Sequence, residues 1–142
     1  MTIGFERTLQ RQLEGVGRIA RDVDDPSEAL AIMLRHHLAF TLEAGDHLAA
    51  WSQEFRNLPP ESAGRLRRMQ RLYIEEWVGV VARVRTDLSD GEARAAVHAT
   101  MAFLQSAAAH RSGLAPGEVA DVLCTMALTA LCDSKTSDGV LT

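Results

Sequence analysis

Long apolar runs, a basic excess and cysteine pairs are all missing from this sequence, and each absence excludes something. No stretch approaches the ~18 apolar residues that a bilayer-spanning helix needs. The first residues, MTIGFERTLQRQ, carry charge where a secretory signal would be apolar, so a cytoplasmic address is expected. Fifteen Lys and Arg against nineteen Asp and Glu leave a formal charge of −4. That balance speaks against a nucleic-acid-binding module, which shows a basic excess or a basic face. Cys124 and Cys132 stand eight residues apart in a helical-looking segment. A rise of ~1.5 Å per residue separates them by ~12 Å, beyond the ~7 Å reach of a disulfide, so buried free thiols are expected.

Catalytic and metal motifs are absent too. No Glu-x-x-His occurs, as a helical di-iron site would need, and no His-Glu-x-x-His or Cys-x-x-Cys. There is no glycine-rich phosphate loop and no Gly-x-Ser-x-Gly elbow. His36, His37 and His47 invite a metal reading, but Glu43 and His47 straddle Gly45 at a helix end and read as a solvated pair. His37, on an apolar stripe, reads as a hydrogen-bonded inner histidine that could line a cavity. The basic run RLRRMQR is flanked by Glu61, Glu75 and Glu76, and Glu61 pairs with Arg65 at helical spacing, so it reads as a solvated helix face. Neither enzymatic activity, a metal nor a cofactor is expected.

What is present is helix. At 142 residues the chain is one domain, with 46% hydrophobic and 24% charged residues. Phe5, Leu9, Leu13, Val16 and Ile19 recur every three or four positions and make one helical face, over about residues 3–21. Asp25-Pro26-Ser27-Glu28 reads as a helix start, with Asp25 as cap and Glu28 reaching back. The stripe Leu30, Met33, His37, Phe40, Ala44 follows, and Gly45 suits its end. A short helix over 46–57 is stopped by Pro59 and Pro60, and a long one runs over 60–86 with Leu66, Met69, Tyr73, Trp77, Val80 and Val84 inward. Ser89 and Glu92 form a capping box for a helix of about twenty residues. Arg111-Ser112-Gly113 is a loop, and Pro116 opens the last helix, ending near Cys132. The expectation is an all-α fold of six helices over residues 1–132, with the polar tail 133–142 frayed.

Charge is distributed unevenly along these helices. Residues 1–92 hold 27 charged side chains, whereas 93–132 hold only Arg94, Arg111, Glu118 and Asp121. A helix apolar all round must be covered on all sides. The economical cover is a second copy, with the last two helices of each subunit making a four-helix interface about a two-fold axis. The contact residues would be Ala96, Thr100, Phe103, Leu104, Ala107, Val119, Val122, Leu123, Met126, Ala127 and Ala130. The alternative is that these helices form the core of a monomer.

The larger apolar side chains gather on the inner stripes: Met33, Phe40, Trp51, Phe55, Met69, Tyr73, Trp77 and Met101, with His37 among them. Two readings stand side by side: a filled core, or an apolar cavity with a few polar groups.

The phrase WSQEFRNLPPE followed by RLRRMQRLYIEEWV resembles the C-terminal half of TetR-family transcriptional regulators. So do LSDGEARAAVHATMAFLQSAAAH, the Ser-Gly-Leu turn and the Ala- and Leu-rich last helix, so that the likeness runs over about residues 3–132. It implies a helical effector-binding domain whose last two helices make a homodimer interface. It also implies that the nine residues just named enclose a small, largely apolar effector. Trp51 and Phe55 would then form a pocket wall, with Pro59-Pro60 fixing the angle to the long helix. In the family a helix-turn-helix domain of about fifty residues reads DNA. None precedes residue 1 here, so this polypeptide is not expected to bind an operator by itself. The leading expectation is the sensing and dimerising domain of a TetR-like regulator, a repressor as the resemblance implies. The alternative is a stand-alone helical protein that pairs with, or sequesters, a complete regulator.

Overall fold

A computed structural model describes residues 2–44, 53, 55–110 and 112–133. Five helices make up the described part: α1 (Thr2–Asp22), α2 (Pro26–Glu43), α3 (Pro60–Val84), α4 (Asp90–Ala109) and α5 (Pro116–Cys132). Most of the expected short helix over 46–57, including Trp51, lies outside the described residues. Gln53, Phe55 and Arg56 are helical.

The helix starts follow from local chemistry. The Asp25 carboxylate accepts the Glu28 N–H at 3.1 Å with Pro26 in the first turn, where its missing N–H costs nothing. At Ser89 the capping box is complete, hydroxyl to the Glu92 N–H at 3.1 Å and Glu92 carboxylate to the Ser89 N–H at 2.9 Å. Ala115 has no side-chain oxygen, so α5 has only the returning half, from Glu118 to the Ala115 N–H at 3.4 Å. Gly113, at φ +81°, makes the turn into α5 in a conformation that other residues avoid.

α2 is the central helix and packs against all four others. Ala29, Leu30, Met33, Leu34, Leu38 and Thr41 are buried along it. Beyond Ser27 in the first turn, its exposed residues fall on one narrow strip, Glu28, Ile32, Arg35, Ala39 and Glu43, spaced by three and four. α1 lies across α2 and α3, and α3 also packs on α4. At the α1–α2 crossing Gly15 admits the His36 ring, whose Nε2 would lie 2.8 Å from a Cβ at that position. Trp77 is fully buried at the centre of the core.

α4 and α5 each lean on α2 and touch one another only lightly. Neither is covered all round. Thr100, Leu104 and Ala127 are buried within the single chain. Ala96, Phe103, Ala107, Val119 and Leu123 are half-buried, while Val122 and Met126 are 50% and 54% exposed and Ala130 is exposed. The outward apolar face is therefore narrower than the composition implies. An α-helix turns about 100° per residue, so a helix rich in apolar residues still gives one side to its own core.

α3 ends at Val84, the last residue of its apolar stripe and two residues short of the expected bound at 86, because Arg85 turns away from the helix. Arg85 is 8% exposed, and it grips Asp87 through both carboxylate oxygens at 2.8 Å. Its Nη1 donates to the Leu131 carbonyl at 3.4 Å, near the end of α5. One guanidinium thus serves the α3–α4 turn and a carbonyl that the helix leaves free. Arg85→Met is expected to lower stability by about 1–3 kcal/mol, the cost of leaving the Leu131 carbonyl and the Asp87 carboxylate without the buried guanidinium that bridges them. Urea unfolding at fixed protein concentration measures it.

Candidate functional site

A cavity of about 500 Å³ opens at one end of the helical bundle. Its wall draws on four helices at helical spacing. α1 gives Phe5, Leu9 and Gln12 from its first half, and α2 gives His37, Phe40 and Thr41 from its last turns. α3 gives Gln70, Tyr73 and Ile74, α4 gives Met101 and Gln105, and Phe55 joins from the segment before α3. The volume falls within the range of small-molecule sites, roughly 300–1,000 Å³. The Arg67 guanidinium lies over the Phe55 ring, 5.6 Å from its centroid, and holds that ring in the wall from outside.

Of the nine residues expected around an effector, the structure brings His37, Phe40, Phe55, Tyr73 and Met101 to this cavity. Trp51 lies outside the described residues. Met33 and Trp77 do not line it, because each sits one turn deeper than His37 and Tyr73 on the same stripe, where the bundle is closed and both are fully buried. Met69 is half-buried and does not line it either. It stands roughly a quarter-turn round α3 from the face shared by Gln70, Tyr73 and Ile74. Seven lining residues were not anticipated: Phe5, Leu9, Gln12, Thr41, Gln70, Ile74 and Gln105. Phe5 and Leu9 were legible as inner residues of α1. For the three glutamines there was no signal short of knowing which helices meet.

The polar groups of the wall are mostly engaged with one another. His37 Nδ1 and Tyr73 Oη lie 2.6 Å apart, and the Thr41 hydroxyl donates to the His37 carbonyl at 3.0 Å. Their rings pack at 5.6 Å, and the Trp77 edge meets His37 at 5.9 Å from behind. Burial lowers the His37 pKa to about 4, with a smaller contribution from repulsion by His36. Burial also raises the Tyr73 pKa. At neutral pH both are uncharged, and one proton links them, donated by either ring according to the histidine tautomer. No charged side chain lines the cavity among the described residues.

Gln12 differs from these. It is 8% exposed, and its Nε2 is buried with no hydrogen-bond partner among the described residues. It also stands between the main cavity and a second one of about 410 Å³, lined by Thr8, Arg11, His36, Ala39, Phe40 and Glu43. Among the described residues, no three His, Cys, Asp or Glu side chains are grouped to hold a metal ion. Cys124 and Cys132 are free, buried and half-buried respectively.

The site is a largely apolar chamber with a few fixed hydrogen-bonding groups and, among the described residues, no charged side chain. No described helix is long and apolar enough to cross a membrane. No curated protein matches the chain. The family described as "Tetracyclin repressor-like, C-terminal domain" matches residues 23–131, well over half of the chain, beginning just after α1. The chain belongs to this family of TetR-like C-terminal domains.

Proposed function

We propose that this chain is the small-molecule-sensing and dimerising part of a TetR-like transcriptional regulator, and that its effector occupies the cavity between α1, α2, α3 and α4. The cavity's composition carries the reading. Phe5, Leu9, Phe40, Phe55, Ile74 and Met101 supply apolar area, and a few polar groups supply orientation. A ligand there touches α1 on one side and the rest of the bundle on the other. Its occupancy would bias where α1 lies, and in the family that helix leads to the DNA-reading heads. Such a shift needs the ligand to favour one arrangement over the other. Homodimerisation would use the outer faces of α4 and α5, with Val122, Met126 and Ala130 at their most exposed points.

Nile red, an uncharged apolar dye, tests the cavity. It is expected to bind once per chain with a blue-shifted emission. Met101→Trp, which fills the chamber from α4, is expected to weaken binding about tenfold or more, since a packed site rejects added volume. Equal binding by the wild-type and Met101→Trp proteins would remove the cavity from the reading.

A further inference from the structure

We infer that the ligand is an uncharged, largely aromatic or aliphatic molecule with a carbonyl-type acceptor, placed to take a hydrogen bond from the Gln12 amide. The inference rests on the cavity being a ligand site and goes beyond it by fixing the ligand's chemistry.

It follows from which polar groups of the wall are already used. Thr41 is committed to the His37 carbonyl and Tyr73 to His37. Gln70 and Gln105 are exposed and can satisfy themselves with water. Among the described wall residues Gln12 alone is more than nine-tenths buried with an unpartnered donor; Trp77 Nε1 is also buried without a partner, but Trp77 does not line the cavity. A buried donor without a partner is unfavourable, and a ligand acceptor that meets it recovers that free energy on binding. The donor is an amide rather than a cation, and the described wall holds neither Lys, Arg, Asp nor Glu. A charged ligand would lose its hydration without gaining a counter-charge. Gln12 lies before residues 23–131, so the family match does not extend to it.

Three probes of similar shape separate the possibilities by displacement of Nile red: benzophenone, diphenylmethane and 4-benzoylbenzoate. Without a donor in the wall, diphenylmethane should bind at least as well as benzophenone, because the ketone gives up hydrogen bonds to water. With Gln12 donating, benzophenone is expected to compete about five- to tenfold better. Gln12→Met keeps the length of the side chain, removes the donor, and is expected to abolish that preference. 4-Benzoylbenzoate is expected to be weaker than benzophenone by about tenfold or more. Equal competition by ketone and hydrocarbon on the wild-type protein overturns the inference, even if Gln12→Met does not fold. So does a ketone preference that survives in Gln12→Met, or a carboxylate that competes best. Failure of Nile red itself to bind removes the ligand site and this inference together. Dye binding without the ketone preference removes only the inference.

Discussion

Between pH 7 and pH 4.5 the wild-type protein is expected to lose about 2.5 kcal/mol more stability than His37→Gln. His37 is neutral in both folded and unfolded chains at pH 7. Below pH 6.5 the unfolded chain takes up a proton there, while the folded chain resists until about pH 4, because burial and the nearby His36 disfavour the charged ring. The unfolded state therefore binds more protons across this window. Stability is fully present above pH 6.5 and is lost as pH falls towards 4. His36 acts in the same sense, its pKa also lowered by burial. Glutamine at position 37 can still meet the Tyr73 hydroxyl but does not titrate. The measurement is urea unfolding of both proteins at the two pH values and one protein concentration. Equal losses would show that His37 is not held neutral in the folded chain. An effect of this size is a large part of the 5–15 kcal/mol by which domains are ordinarily stable.

The same histidine shows how far periodicity reaches. It lay on the stripe with Met33, and Tyr73 lay on the stripe with Trp77, so all four were legible as inner residues. Periodicity of three and four gives the face of a helix but not the depth at which neighbouring helices part. Hence His37 and Tyr73 line the cavity, while Met33 and Trp77, one turn away, are core. The starts of α2 and α4 were legible because Asp25-Pro26 and Ser89-x-x-Glu92 act locally. The end of α3 was not, because Arg85 is held by a carbonyl forty-six residues away. Gln12 was missed for a related reason: a glutamine next to Arg11 on α1 looks like a solvent-facing residue until α2 is laid over it. Charge depletion set α4 and α5 apart as helices for a partner to cover; within the single chain α2 is the most enclosed. Its charges are gathered on the strip of Glu28, Arg35 and Glu43, so a short count of charged residues is not needed for a helix to be central.

Replacing Val122 and Met126 together by glutamate is expected to raise the dimer dissociation constant by about a hundredfold or more. The two residues stand one turn apart on the outer face of α5, and in the single chain about half of each is open to solvent. Carboxylates there cost the isolated subunit little. At a two-fold interface each would meet a copy of itself or the partner's apolar face, without a counter-charge and out of water. The small residues Ala95, Ala99 and Ala102 on the exposed side of α4 favour close approach of a partner helix and offer a carboxylate no hydrogen-bond donor. Sedimentation velocity over a range of concentrations distinguishes the outcomes, with helical content by circular dichroism as the control for folding. A wild-type dimer that the double substitution leaves intact would move the interface elsewhere. A wild-type protein that stays monomeric at all concentrations would leave α5 for a different chain, as in pairing with a complete regulator. A dimer that dissociates on substitution would place the interface on the outer face of α5, whose inner face packs on α2, the helix that contributes His37, Phe40 and Thr41 to the cavity. Ligand and subunit contact would then act on two helices packed directly on one another, α2 and α5, a contiguous route by which one could influence the other.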